Sequence, residues 1–299
     1  MQTFRRLALF LAVNLLVILT LSFLLHLFGV QPYLTPYGLD YNSLLAFCFI
    51  WGMGGALISL SLSRIMAKWL MSVRVIDPSS TDLAEQKLVQ MVYRLCRKAG
   101  LPDMPEVGIF QSPAMNAFAT GPTKSRSLVA LSSGIIARMH EDELEAVIAH
   151  EVSHIANGDM VTMTLLQGVI NAFVMFFARI LAFAITRGSN SNRRSSSPFA
   201  YYALVFVFEI VFMVLGSIVV CAYSRFREFR ADKGGADLAG KAKMIAALRA
   251  LQNEHESSSS MPMKQTAIQA MMIKNKSGGF LTLFATHPPL DERIARLSR

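Results

Sequence analysis

The chain has 299 residues, of which 53% are hydrophobic and 16% are charged, and its formal net charge is +9 at pH 7. A mean hydropathy of +0.41 is too high for an ordinary soluble protein, so we expect an integral membrane protein. A nucleic-acid-binding protein is disfavoured, because no basic stripe is interleaved with aromatic residues. The cysteines Cys48, Cys96 and Cys221 are scattered and form no CxxC motif, which argues against a disulfide framework and predicts buried free thiols.

An apolar run covers residues 7–28 and follows Arg5 and Arg6. It is long enough to cross a bilayer. Its apolar core is too long for a secretory signal, and no small-x-small cleavage site follows it. We therefore predict an uncleaved transmembrane helix.

A second apolar run covers residues 44–63, and glycines such as Gly52 and Gly54 would let another helix approach closely. Several Lys and Arg residues follow it from Arg64 onward, whereas the loop of residues 29–42 has none. The positive-inside rule therefore predicts that the N-terminus and the chain after residue 64 face the cytoplasm, with the loop outside.

From about residue 75 the composition becomes that of a soluble domain. Apolar residues at helical spacing predict a helix over residues 81–99, which Gly100 ends. Short strands are expected at residues 105–110, 116–120 and 127–132.

The next segment contains a motif of the form H-E-x-x-H, with His150, Glu151 and His154. On a helix, residues four apart lie one turn apart on nearly the same face, so the two imidazoles can share one Zn²⁺. Glu151 lies about 100° round the helix, where it can take a proton from a water molecule at the metal. An apolar face before the motif and the stop signal at Asn157-Gly158 place it within a helix. The alternative is a surface helix with two solvated histidines.

Two further apolar runs cover residues 161–185 and 201–223. Their length favours a third and a fourth membrane helix, and the alternative is a helical hairpin buried within the soluble domain. Each run carries one ion, Arg179 and Glu209, at a similar depth from the connecting loop of residues 186–198. We expect them to pair across the hairpin, because an unpaired charge there is expensive; the alternative is independent polar contacts.

A zinc site needs a third protein ligand. Asn157 and Met160 stand where a metzincin would have a glycine and its third histidine, so a carboxylate on a later helix is expected. Asp159 is too near in sequence, whereas Glu254 adjoins a serine tract that predicts a loose loop. Glu228 and Asp232 lie one helical turn apart, so one can bind the metal while the other orients a ligating histidine. The alternative for this pair is a juxtamembrane helix with surface ion pairs.

Four motifs in this order resemble the HtpX family of membrane-bound zinc metalloproteases, which are heat-shock-linked relatives of the CAAX prenyl endopeptidases. The matching stretches are N-A-F-A-T-G at 116–121, residues 146–159, R-E-F-x-A-D at 227–232 and T-H-P-P-L-D at 286–291. Together with the apolar runs, they extend the resemblance over essentially the whole chain.

The resemblance implies a cytoplasm-facing peptidase that cuts misfolded or damaged membrane proteins. It implies one Zn²⁺ on His150, His154 and Glu228, with Glu151 as the general base and Asp232 in support. Arg230 departs from the His found in many relatives, but this is not a ligand position of the motif.

Three further features have two interpretations each. Asn116 lies in a predicted edge strand and would hold the substrate or the oxyanion, or it is a strand-end asparagine. His287 caps the C-terminal helix or, as the resemblance suggests, donates a hydrogen bond to the tetrahedral intermediate. The methionines at 261, 263, 271 and 272 form an adaptable substrate surface or belong to a core or lipid-facing surface.

The predicted fold is a mainly α integral membrane protein with four apolar helices and a cytoplasmic α+β zincin-like (gluzincin) domain that contains a small sheet. The predicted location is the bacterial inner membrane, with both termini cytoplasmic. The predicted partners are membrane protein substrates, the lipid bilayer and quality-control proteases. The alternatives are a non-proteolytic membrane chaperone or scaffold, and a narrow processing peptidase.

The predicted segments are an N-terminal hairpin (1–72), a first catalytic part (73–160), a second helical hairpin (161–223) and a second catalytic part (224–299).

Overall fold

The computed structural model describes residues 2–188, 198–259 and 280–299. Residues 189–197 of the connecting loop and the four methionines at 261–272 lie outside the described residues. In chain order the elements are α1 (Gln2–Leu27), β1 (Leu34–Thr35), β2 (Gly38–Leu39), α2 (Tyr41–Leu70), β3 (Arg74–Val75), α3 (Leu83–Lys98), β4 (Glu106–Phe110), β5 (Ala117–Thr123), β6 (Arg126–Ser132), α4 (Ser133–Arg138), α5 (Glu141–Asn157), α6 (Asp159–Gly188), α7 (Pro198–Ala239), α8 (Lys241–Ser259), a 3₁₀ helix (Phe280–Phe284) and α9 (Leu290–Ser298).

The chain divides into two compact units. The helical unit contains residues 1–60 and 162–220, and the catalytic unit contains residues 61–161 and 221–299. Each unit is therefore built from two separate stretches of sequence.

Three helices of the described chain are long and apolar enough to cross a membrane: α2, α6 (as Asp159–Thr186) and α7. The fourth predicted helix, α1, has 26 residues, but its described apolar stretch, Leu11–Leu27, is shorter. Three of the four predicted apolar helices are therefore confirmed, and the spanning role of α1 stays a prediction. Large apolar side chains of α6 and α7 are exposed, such as Phe173 (54%) and Phe206 (63%), which contradicts a hairpin buried in a soluble domain.

Close packing within the helical unit depends on small residues. A Cβ added at Gly52 would lie 2.6 Å from the backbone nitrogen of Ala172, so α2 and α6 touch backbone to backbone. Arg179 of α6 and Glu209 of α7 form the predicted ion pair, with 2.6 Å between Nη1 and Oε1. The guanidinium also lies over the ring of Phe47, 5.4 Å from its centroid. The predicted pairing across the hairpin is confirmed.

The catalytic unit contains a four-stranded sheet with the order β3-β4-β6-β5. Strands β4 and β6 are parallel, and the other two pairings are antiparallel. Strand β5 therefore lies at an edge, as expected, although it begins at Ala117, one residue after Asn116. The backbone N–H of Asn116 donates to the hydroxyl of Ser132, and its carbonyl accepts from the backbone N–H of Ser132.

The core of the catalytic unit lies between the sheet and helices α3, α5 and α8. The buried faces carry apolar residues at helical spacing, for example Leu88, Val92 and Leu95 of α3. Helix α3 begins at Asp82, whose carboxylate accepts from two backbone N–H groups. The loose loop expected around Glu254 is wrong: α8 continues to Ser259, and Glu254 forms an ion pair with Arg138.

Candidate metal centre

The H-E-x-x-H motif lies within α5, as predicted. The helix begins after His140, whose backbone N–H donates to Glu143 Oε2 at 3.0 Å. It ends at Gly158, which adopts a left-handed conformation with φ of 69° and donates to the carbonyls of His154 and Ile155. Both histidines are buried and 7% exposed. This burial contradicts the alternative of two solvated surface histidines.

Helix α7 brings Glu228 to these histidines. Glu228 Oε2 lies 3.5 Å from His150 Nε2, and Oε1 lies 3.3 Å from His154 Nε2. The two Nε2 atoms are 3.2 Å apart. Among the described residues, these three side chains form a buried group whose ligand atoms can hold one metal ion.

The spacing of the three groups fits a tetrahedral zinc ion. With Zn–N and Zn–O distances of about 2.0–2.2 Å, neighbouring ligand atoms of a tetrahedral site lie about 3.4 Å apart. The observed separations of 3.2, 3.3 and 3.5 Å agree with that value. Glu228 is only 1% exposed, and its buried Oε1 has no hydrogen-bond partner. A cation between the three groups would satisfy this atom.

Two glycines allow α7 to approach α5 closely enough for this contact. A Cβ added at Gly234 would overlap the hydroxyl oxygen of Ser153, and one at Gly235 would lie 3.2 Å from the backbone nitrogen of His150. Small residues are needed here because the two helices meet on the turns that carry Ser153 and His150. The position of Glu228 therefore depends on glycines one to two turns further along the same helix.

The Nδ1 atom of each histidine contacts a carboxylate, and each of these carboxylates contacts an arginine. Asp232 Oδ1 lies 3.0 Å from His150 Nδ1, and Arg293 of α9 donates to Asp232 through Nε (2.8 Å) and Nη2 (2.6 Å). Asp159 Oδ2 lies 2.7 Å from His154 Nδ1, and Arg230 contacts its other oxygen. Both carboxylates leave the Nε2 atoms facing Glu228. Such contacts fix the ring orientation of ligating histidines.

This environment favours the charged form of both imidazoles. Burial opposes protonation of His150, but hydrogen bonds to Asp232 and Glu228 outweigh it and raise its pKa to about 9. The pKa of His154 is also raised, because bonds to Asp159 and Glu228 outweigh burial. A bound cation would take the place of these protons, since metal ligands must be deprotonated.

A cavity opens beside the group and brings in the other predicted site residues. Glu151, Asn116 and His287 line it together with His150 and Glu228. His287 Nδ1 lies 2.9 Å from Glu228 Oε2, although the His287 side chain is 62% exposed. All seven predicted site residues are therefore in or directly beside one cavity.

The sequence patterns do not predict that Asp159, Arg230 and Arg293 help to orient the two histidines. Arg293 carries a usable signal, because it stands three residues after Leu290 on the apolar face of α9 and is 7% exposed. A buried arginine usually has a carboxylate partner. Asp159 is set aside as a ligand by its closeness in sequence, and it contacts the outer face of His154 instead.

Known proteins resemble this chain in sequence and in fold. The model of peptidase family M48 matches residues 82–299. The protease HtpX homolog of Bacillus subtilis is 50% identical, with 98% of each chain covered. The protease HtpX homolog of Methylacidiphilum infernorum is 46% identical, with 99% of each chain covered. The crystal structure of S. mikatae Ste24p has the same fold, with a TM-score of 0.65 at 16% identity; the match covers 99% of this chain and 64% of that one.

The apolar helices, the buried histidine–carboxylate group and these relatives define the class of protein: a membrane protease. The chain belongs to peptidase family M48, and its similarity to HtpX proteases extends over nearly its whole length. The family resemblance expected from the four motifs is confirmed.

Proposed function

We propose that the protein is a zinc-dependent metalloendopeptidase that hydrolyses peptide bonds of misfolded or damaged membrane proteins. His150, His154 and Glu228 would hold one Zn²⁺. The observation that carries this proposal is the buried group of two imidazole Nε2 atoms, 3.2 Å apart, and the Glu228 carboxylate, whose two oxygens lie 3.5 Å from His150 Nε2 and 3.3 Å from His154 Nε2; these distances are close to the spacing of ligand atoms in a tetrahedral site.

The chemistry is divided between the metal and the protein. When bound, Zn²⁺ supplies a Lewis acid that polarises the scissile carbonyl and acidifies a water molecule. Glu151 lines the same cavity as His150 and Glu228, so its carboxylate can hold the attacking water and accept its proton. Glu151 then passes that proton to the leaving amine. His287, which lines the same cavity, supplies a hydrogen bond to the oxyanion.

Strand β5 provides a place for the substrate backbone. It lies at the edge of the sheet, and Asn116 immediately precedes it and lines the cavity. An extended peptide can add to such an edge through main-chain hydrogen bonds, which require no particular side chains. Asn116 then orients the substrate near the metal. Only a locally unfolded segment can bind in this way, which suits a protease that removes damaged proteins.

The chain's own membrane segments support a substrate that is a membrane protein. Only Gly158 separates the metal-binding helix α5 from α6, which is apolar enough to span a bilayer. The positive-inside rule supports an orientation with the catalytic residues and both termini on the cytoplasmic side, and the similarity to bacterial HtpX proteases supports the bacterial inner membrane. Partner proteases of membrane quality control would take over the fragments.

The decisive experiment compares the wild-type protein with Glu151→Gln. Both are purified in detergent without chelators, their zinc content is measured, and cleavage of a model membrane protein is followed. We expect one zinc per chain in both proteins and cleavage by the wild type alone. Asp103→Asn, at an exposed position outside the cavity, is the matched control and should cleave normally.

Each other outcome rejects part of the proposal. Undiminished cleavage by Glu151→Gln would reject Glu151 as the general base. Zinc-loaded wild type that binds unfolded segments without cutting them would indicate a membrane chaperone or scaffold. Cleavage restricted to one defined sequence would indicate a narrow processing peptidase. Cysteine accessibility in the loops of residues 29–42 and 186–198 tests the orientation, and labelling from the cytoplasmic side would contradict it.

A further inference from the structure

The C-terminal segment of the catalytic unit runs along one face of α7. Contact residues on that face are spaced four, three and four apart, which places them on one side of the helix. The partners of the last three follow in the same order along the chain, and the partner of Cys221 lies among those of Arg225. These α7 residues are Cys221, Arg225, Glu228 and Asp232, and their partners are the carbonyl of Phe284, the carbonyls of residues 282, 283 and 285, His287 and Arg293.

Arg225 makes the most extensive of these contacts. Its Nη1 donates to the carbonyl oxygens of Ala285 (2.7 Å), Leu283 (3.0 Å) and Thr282 (3.3 Å). Thr282 and Leu283 lie near the end of the 3₁₀ helix, and Ala285 directly follows it. A cationic donor is well suited to such an end. The contact therefore fixes backbone rather than a side chain.

His287 lies between this anchor and a second one. On its other side, α9 begins after Pro289 and is held by the buried contact of Arg293 with Asp232. Only residues 286–288 separate the carbonyl of Ala285 from Pro289. Pro288 and Pro289 each fix one backbone dihedral, so this connection has little freedom. Because the His287 side chain is 62% exposed, packing does not hold its ring against Glu228. The two anchors on either side of His287 hold it there: the contact of Arg225 with backbone carbonyls and the side-chain contact of Arg293 with Asp232.

We propose that Arg225 is a positioning residue for His287. By binding the carbonyls of Thr282, Leu283 and Ala285, it sets the backbone from which the His287 ring reaches Glu228 and the cavity. Arg225 acts through His287 and touches neither the substrate nor the metal. This inference rests on the proposed function for its effect on cleavage, whereas the anchor itself can be tested without any cleavage.

The test combines kinetics with hydrogen–deuterium exchange. The variants are Arg225→Gln, Arg225→Lys and His287→Ala, with the double variant of Arg225→Gln and His287→Ala. Arg249→Gln, an exposed arginine of α8, is the matched control. We expect Arg225→Gln to lower kcat about 10- to 100-fold with little change in KM and full zinc content, because a small misplacement of a catalytic group has effects of this size. Arg225→Lys should retain part of the activity, since it keeps a cationic donor.

The double variant is decisive. If Arg225 acts through His287, Arg225→Gln should cost nothing further once His287 is alanine. Backbone amides of residues 282–287 should exchange faster in Arg225→Gln than in the wild type or in Arg249→Gln. Multiplicative losses in the double variant, loss of zinc, or unchanged exchange would overturn the proposal. If Arg225→Gln does not fold, Arg225→Lys carries the same comparisons. If the wild type cleaves nothing, the proposed function fails, and the exchange result alone decides whether Arg225 anchors this segment.

Discussion

Asp159 lies against the outer face of His154, with 2.7 Å between Oδ2 and Nδ1. Asp159 is the first residue of α6 and is fully buried, and Arg230 contacts its second oxygen. With a metal bound, the carboxylate would hold the imidazole in the tautomer that leaves Nε2 without a proton, on the side that faces Glu228. His154 is thus oriented from the helix that follows its own, whereas His150 is oriented from α7.

Replacing Asp159 should therefore weaken metal binding without removing a ligand. We expect Asp159→Asn to lower the zinc affinity about 10- to 100-fold, because the amide no longer favours the required tautomer and leaves Arg230 without its charged partner. Competition with a chromophoric chelator measures the affinity. The control is Asp237→Asn, at an exposed position of α7, which should bind zinc as the wild type does. Equal affinity of Asp159→Asn and the wild type would contradict the role of Asp159.

The close approach of α7 to α5 at Gly234 gives a second prediction. An added Cβ would overlap Ser153 Oγ, so Gly234→Ala should force the helices apart and destabilise the protein by about 1–3 kcal/mol. Zinc affinity should fall as well, because Glu228 is carried on the displaced helix. Thermal unfolding and chelator competition measure the two effects.

Ser153 also provides the rescue experiment. Adding Ser153→Ala removes the overlapping oxygen and leaves a Cβ at 3.0 Å from the added group, so part of both losses should be recovered. Gly55→Ala is the control, since an added Cβ there meets nothing within 4 Å. A Gly234→Ala protein as stable as the wild type would show that α5 and α7 can accommodate the added methyl group, which would contradict this prediction.

The motif helix and the metal ligands are predictable from sequence, because their signals are local. The i, i+4 spacing of His150 and His154 and the stop at Gly158 depend on one helix only. Glu228 follows from excluding other carboxylates, with the family resemblance as the deciding argument. The loop that the sequence predicts beside Glu254 is wrong for a different reason. A serine-rich composition favours a loop, but contact of Glu254 with Arg138 keeps α8 helical.

The contacts of the two arginines with Asp159 and Asp232 cannot be predicted from local sequence spacing. Arg230 and Arg293 meet Asp159 and Asp232 only after α6, α7 and α9 have packed together. No spacing rule links residues that are 71 and 61 positions apart. Likewise, the hydrogen bonds of Arg225 go to backbone carbonyls, which every residue possesses, so no sequence pattern identifies them.

Glu145 of α5 gives a pH-dependent prediction. Its side chain is 12% exposed and contacts both Arg94 and Lys243 at 2.6 Å. Burial opposes ionisation, but the two cations outweigh it and lower the pKa of Glu145 from 4.5. A lowered pKa in the folded state means that the ionised group stabilises the fold above the unfolded pKa, and that this stability is lost as the pH falls through the folded value.

The comparison is between the wild type and Glu145→Gln. At pH 7 the variant should be less stable by about 1 kcal/mol, and the difference should vanish as the pH falls well below 4.5. Unfolding in denaturant at a series of pH values measures it. A difference that stays constant with pH would show that Glu145 acts through packing, not charge.

The ion pair of Arg179 and Glu209 in the helical unit can be tested by reversing its charges. Arg179→Glu or Glu209→Arg alone leaves two like charges together, and each should lower Tm in detergent by roughly 5–10 °C. The double reversal should recover much of that loss, although the position of Arg179 over the Phe47 ring is not reproduced. A double variant as unstable as the worse single variant would argue against the pair.

The placement of Arg293 and His287 has a consequence for synthesis of the protein on the ribosome. A nascent chain that has reached α7 already carries both histidines and Glu228, yet Asp232 still lacks Arg293 and Glu228 lacks His287. The site is completed only after residues 280–293 have emerged and aligned beside α7. Proteolytic activity would thus begin late in translation. By that stage the enzyme's own helices are no longer unfolded, so they are not substrates for the newly completed site.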